Sequence, residues 1–300
     1  MVSFVKISRG ENQKKKAKLL YFIRHNWERL RKLRDLNHLS EIYRSYDTFI
    51  IDLWGVMHNG ISLNSKAIKV VQKLSENSKK FVFLSNAPRP SLKVIEFLKK
   101  MKMQEELLAK VVTSGEAAMQ AINQNKFGKS FYHLGPIRDQ SLFEKVLSNK
   151  TTLDKCDYII CTGLFDEQEK NLQYYKDLLK SHISKNLICT NPDLIVHRGN
   201  IEEHCAGAVA KIFETLGGKV IYYGKPYKEI YKMCFNSGEK VLAIGDNLRT
   251  DIKGANNIGI DSLFIYSGVH KKEINTNEDI KPLLKKYKVK ANFFQKELEW

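Results

Sequence analysis

Short apolar runs rich in β-branched residues, each followed by a polar loop and an amphipathic helix, recur along this chain and leave few folds open to it. Thr48-Phe-Ile-Ile51 is the first, ending in Asp52 and the glycine-containing loop Trp54-Gly55-Val56. Lys80-Phe-Val-Phe-Leu84 ends at Ser85-Asn86, and Val111-Val112-Thr113-Ser114 leads into a helix beginning at Gly115. Between these runs Ala67, Ile68, Val71 and Leu74 stand at helical spacing, and Pro88 and Pro90 break the chain before a second helix over 92–100. Strands that are apolar throughout and alternate with helices predict a parallel sheet covered on both faces. Such sheets bind ligands at the C-terminal ends of their strands, where Asp52, Ser85 and Ser114 fall.

Further along, strands are expected at Tyr158–Cys161 and Leu187–Thr190 with a helix over 169–179 between them. The first rhythm then returns: helix 206–216, strand 220–223, Gly224-Lys225-Pro226, helix 229–235, strand 241–244, Gly245-Asp246, a helix near 251–257 and a strand over 261–266. This predicts an α/β core over 41–125 and 211–300, interrupted by a smaller inserted α/β domain over 126–210. A basic helical extension, 1–40, precedes it, with a helical rhythm over 19–36.

The net charge of +17, from 50 basic and 33 acidic residues, raises nucleic acid and membrane surfaces as partners. The lysines are spread along the whole chain beside apolar residues at helical spacing, the pattern of solvated helix faces, which argues against a nucleic-acid surface and suits anionic ligands. No apolar run approaches the roughly 18 residues of a membrane span, and the N-terminus has no signal-peptide pattern. Five scattered cysteines without a CxxC pair argue against zinc and against a disulfide framework; a cytoplasmic location is expected.

Asp52, Ser85, Lys225 and the pair Asp246/Asp251 all stand at strand or loop ends. Together they suit phosphate chemistry: a carboxylate nucleophile or metal ligand, a hydroxyl and backbone N–H donors near Asn86, an ammonium charge, and oxygen ligands for Mg²⁺. Each alone is equally at home as a turn or helix-cap residue.

Read in order, Ile50-Ile-Asp52-Leu-Trp54-Gly-Val56, Leu84-Ser85-Asn86, Tyr223-Gly224-Lys225-Pro226 and Ile244-Gly-Asp246-Asn-Leu-Arg-Thr250-Asp251-Ile-Lys-Gly254-Ala255 resemble the four motifs of the haloacid dehalogenase superfamily. Thr190-Asn191-Pro192-Asp193 and Cys205-Ala206-Gly207-Ala208 resemble its class IIA branch, that of NagD-type and pyridoxal phosphate phosphatases. The likeness spans about residues 46–270. It implies a Rossmannoid core with a cap over the strand ends, and an aspartyl-phosphate formed on Asp52. Mg²⁺ would be held by Asp52, the Trp54 carbonyl and Asp246, with Asp251 at or near it. Ser85, Asn86 and Lys225 would hold the phosphoryl group of a small phosphorylated metabolite. Caps of this class also take part in homodimer contacts.

The chain departs from the pattern at Trp54. Phosphatases of the superfamily carry there a second aspartate, which protonates the leaving oxygen, a contribution of about 10²–10⁴-fold in rate. Three readings stay open: a phosphatase for leaving groups that need little protonation, or one with a substitute donor such as His58; a phosphotransferase; or a non-hydrolytic binding or regulatory protein. Arg89, Asn191, Asp193 and Arg198 are the polar candidates for substrate contact.

Overall fold

The computed structural model describes residues 33–108 and 110–300. Its larger sheet has seven strands: β1 (Arg34–Asp35), β2 (Thr48–Ile51), β3 (Lys80–Ser85), β4 (Lys110–Thr113), β11 (Val241–Gly245), β12 (Asp261–Ile265) and β13 (Phe293–Gln295). All pairings are parallel, in the order β1-β13-β12-β11-β2-β3-β4. The smaller sheet takes β5 (Phe131–Leu134), β6 (Tyr158–Cys161), β7 (Asn186–Cys189) and β10 (Lys219–Tyr222), also parallel, in the order β10-β7-β6-β5. A separate antiparallel hairpin is formed by β8 (Ile195–Arg198) and β9 (Ile201–His204).

All four residues of β2 are buried, because the strand lies inside the sheet, between β11 and β3, with helices on both faces. The helix α1 (Ser65–Glu76) is capped by Asn64, whose side chain accepts from the N–H groups of Lys66 and Ala67. It buries Ala67, Val70, Val71 and Leu74, one stripe at i, i+3, i+4 and i+7. Each larger member contributes roughly 1.5–3 kcal/mol by leaving water. The helix α2 (Ser91–Lys100) follows β3, and α3 (Ser114–Ile122) follows β4, with the Thr113 hydroxyl accepting from the Glu116 N–H. The apolar clusters backing the smaller sheet contain no residue from a strand of the larger one, and the reverse also holds.

Three expectations need correction. The extension over 1–40 was expected to be helical; residues 1–32 lie outside the described residues, but Arg34–Asp35 is an edge strand paired to Phe293–Phe294, and Leu36 and Leu39 are buried in the core. The free edge of β13 offers backbone partners that a local apolar rhythm does not reveal. The strand at 220–223, expected in the larger sheet, pairs instead with β7, and α5 (Ala206–Thr215), which follows α4 (Leu172–Leu179), packs in the same apolar cluster. The smaller unit therefore runs on past residue 210. Finally, the helix expected over 229–235 is the single turn α6 (Lys228–Tyr231), whereas the one expected near 251–257 is present as α7 (Lys253–Ile258), entered through a π-turn over Leu248–Ile252.

Candidate active site

Asp52 follows β2, Ser85 ends β3, and Asp246 follows β11, so three neighbouring strands deliver them to one edge of the sheet. The loop carrying Lys225 joins them. Its ammonium donates to Asp52 Oδ1 (2.5 Å) and Asp251 Oδ1 (2.7 Å), and all three side chains are buried. Asn86 fixes that lysine from behind: its Oδ1 accepts from the Lys225 N–H (2.8 Å) and its Nδ2 donates to the Lys225 carbonyl (3.2 Å). The Asn86 side chain thus holds the lysine backbone in place. Ser85 Oγ accepts from the Ala87 N–H (3.1 Å) and faces the same cavity.

Carboxylate oxygens of Asp52, Asp246 and Asp251 lie within 4.8 Å of one another. Asp246 Oδ2 accepts from the Val269 N–H (2.7 Å), and Asp251 Oδ2 from the Asn247 N–H (3.1 Å). Packing is so close that only glycine fits opposite Asp246. A Cβ on Gly55, whose φ is +88°, would come within 2.1 Å of its carboxylate, and one on Gly268 within 1.9 Å.

Three buried carboxylates around one ammonium leave negative charge unbalanced. Burial pushes the Asp52 carboxyl up to about 8, against the pull of Lys225 and with the push of Asp251. Burial, then Asp52 and Asp251, raises Asp246 well above the usual carboxylate range. Burial by itself would lower Lys225, but Asp251 and Asp52 hold it protonated well above its ordinary value. An all-oxygen donor set short of positive charge fits a hard divalent cation such as Mg²⁺.

The sign of a pH effect follows. Asp52 binds its proton more tightly in the native state than at its unfolded value of 3.8, so its contribution to stability is full at low pH and is lost as pH rises toward about 8. Without divalent cations the unfolding midpoint is expected to fall between pH 5 and 8. Mg²⁺ at 100 times its Kd should raise stability by about 2.7 kcal/mol and flatten that slope, and Asp246→Asn should abolish the gain. Differential scanning fluorimetry across pH reads both effects; a midpoint that climbs over this range would contradict the charge assignment.

A cavity of about 1110 Å³ opens over these groups, walled by the smaller unit. Asp193 faces the loop after β11, accepting on Oδ1 from Asn247 Nδ2 (3.0 Å) and Thr250 Oγ1 (3.1 Å). Burial raises its carboxyl, with Lys225 opposing. Asn191 Oδ1 accepts from the Asp193 N–H (3.1 Å), shaping that turn. Arg89 Nε donates to the buried Asp139 of the smaller unit (2.8 Å). His58 is buried, not an exposed loop residue. It packs against Trp54 and Phe97 at 5.1 and 5.6 Å, and its Nδ1 accepts from the Gly60 N–H. Burial, aided by Arg198, brings it down to about 4, so at neutral pH it carries no spare proton. Trp54 is half-buried, its Nε1 donating to the His197 carbonyl (3.0 Å).

Sequence reasoning missed two groups of residues. Asn247 and Thr250 were visible in the last motif but had no role until Asp193 was seen against them. The β8–β9 hairpin carries a mixed polar pattern whose signal, the Gly199-Asn200 turn between β-branched residues, is weak.

Two family models match the chain: haloacid dehalogenase-like hydrolase over residues 49–147, and HAD-hydrolase-like over 222–285. The chain belongs to the haloacid dehalogenase-like hydrolases. It is 26% identical to the 5'-nucleotidase YutF of Bacillus subtilis, over 80% of this chain and 94% of that protein. A haloacid dehalogenase-like family hydrolase from Brucella suis superposes with a TM-score of 0.78 at 28% identity, covering 89% of this chain and all of the other. The 4-nitrophenylphosphatase of Thermotoga maritima gives 0.63 at 26% identity, covering 84% and 94%. A further solved structure, described as a putative nagD protein, gives 0.58 at 26% identity, covering 75% and 90%. Among the described residues no helix is long and apolar enough to cross a membrane.

Proposed function

We propose that the protein is a Mg²⁺-dependent phosphatase of small phosphorylated metabolites, acting through an aspartyl-phosphate on Asp52. The observation that carries this reading is the buried ammonium of Lys225 held between Asp52 and Asp251, at the strand end that also presents Ser85. Asp52, Asp246, Asp251 and the Trp54 carbonyl would hold the cation, which when bound supplies charge compensation for the phosphoryl oxygens. Lys225 orients the nucleophile and balances the incoming phosphoryl group, with Ser85 donating to its oxygens. The smaller unit serves as the cap that excludes water from the strand ends. Relatives named as a 5'-nucleotidase, acid sugar phosphatases and a 4-nitrophenylphosphatase are in keeping with this chemistry.

The test is phosphate release from a panel of sugar phosphates, nucleotides and aryl phosphates with Mg²⁺ and with EDTA. Metal-dependent release from at least one member is expected. A ligand that raises the unfolding midpoint without being consumed would instead favour a binding protein.

A further inference from the structure

The loop after Asp52 and the cap hairpin are locked together at Trp54. The indole N–H donates to the His197 carbonyl (3.0 Å), and the Gly199 N–H donates to the Asn59 carbonyl (3.0 Å). The guanidinium carbon of Arg198 lies 5.3 Å from the centroid of the Trp54 ring, a cation–π distance. On the neighbouring strand Glu203 accepts from Arg198 Nε (2.8 Å) and Nη2 (3.3 Å). Among the described residues Nη1 has no hydrogen-bond partner. Arg198, Trp54 and Asp52 line one cavity.

The cavity wall at Trp54 therefore presents a guanidinium, with Nε and Nη2 on Glu203 and Nη1 turned to no partner among the described residues, and position 54 itself carries no side chain that can donate a proton as an acid. The one donor of Trp54 is engaged, and a guanidinium does not give up its proton. Charge without a proton stabilises an oxygen that departs as an anion. It offers little to an alkoxide, which must be protonated as it leaves.

We propose that Arg198 contacts the leaving group, and that the site selects substrates whose leaving oxygen departs as a stable anion, a carboxylate or an acidic phenolate. This rests on the phosphatase reading above. In the first step an Asp52 oxygen bonds to phosphorus, the bond from phosphorus to the leaving oxygen breaks, and that oxygen keeps the electron pair and pairs with Arg198; no proton moves. In the second, water adds its hydroxyl to phosphorus and its remaining proton goes to a phosphoryl oxygen. Dihydrogen phosphate leaves and the Asp52 carboxylate is restored.

The experiment measures kcat and KM of the full chain with Mg²⁺ on acetyl phosphate, nitrophenyl and phenyl phosphates and an alkyl phosphate, with Asp52→Asn as the blank. Leaving-group pKa rises from about 4 for a carboxylate to about 10 for a phenol, and higher for an alcohol. At least about 10²-fold loss of kcat/KM from the first to the last is expected. Arg198→Gln should lower kcat on acetyl and nitrophenyl phosphates by about 10²-fold, Arg198→Lys should restore part of it, and Trp54→Asp should flatten the leaving-group dependence. Asp52-dependent release that is equal across the series, or an Arg198→Gln loss that is uniform across it, would overturn the proposal. No Asp52-dependent release from any member would overturn the phosphatase reading itself.

Discussion

Asp52→Asn is expected to reduce Mg²⁺-dependent phosphate release by about 10⁴–10⁶-fold, the scale seen when a nucleophile is removed from an otherwise complete site. A carboxamide oxygen is a poor nucleophile and carries no charge toward a cation. The fold should survive, since asparagine matches aspartate in size and Lys225 keeps Asp251 at 2.7 Å. One buried carboxylate fewer also relieves the crowding with Asp246. The unfolding midpoint without metal should therefore hold or rise while activity disappears. Full activity in the variant would remove Asp52 from the chemistry.

Lys225→Met gives the opposite pairing of effects. The substitution preserves volume but leaves Asp52, Asp246 and Asp251 facing one another in a buried site with no cation. Removing one partner of a buried ion pair costs about 3–5 kcal/mol, which for a chain of this size lowers the midpoint by roughly 6–20 °C. Two treatments should recover much of that loss: lowering the pH below the value of about 8 to which Asp52 is raised, and adding Mg²⁺. Activity should still fall by about 10²–10³-fold at saturating metal, because the charge facing the phosphoryl group is gone. Thermal melts and phosphate release on one preparation separate the two. Above pH 8, a variant as stable as the parent without metal would mean that Lys225 balances no carboxylate charge in the site.

The parallel sheet and the gathering of Asp52, Ser85, Lys225 and Asp246 were legible in the sequence because each is a local signal. A wholly apolar strand declares burial on both faces, and its C-terminal end declares the site. Partner choice was not local. Lys219–Tyr222 reads as a strand, but whether it pairs with β7 or with the larger sheet is decided by where α5 carries the chain. Arg34–Asp35 reads as the end of a helix until the exposed edge of β13 is in place. Arg89 reads as a ligand for substrate anions and does line the cavity, but its partner Asp139, 50 residues away, is one that no pattern announces. Trp54 could be seen as a missing acid, but its use as an anchor for the hairpin depends on His197, which lies 143 residues further on.

The segregation of apolar clusters between the two sheets has a consequence for traffic through the cavity. Arg89 to Asp139, Asn247 to Asp193 and Trp54 to the His197 carbonyl cross from one unit to the other as polar contacts, each replaceable by water at a net cost of about 0.5–3 kcal/mol. At these three contacts no apolar side chain has to leave its cluster; the apolar link between the units is α3, whose Ala118, Met119 and Ile122 pack with Phe131 and Tyr158 of the smaller sheet. Lifting the lid at the three polar contacts becomes a series of small, reversible exchanges with solvent. Its frequency can then be tuned one contact at a time, leaving the melting temperature of either unit where it was.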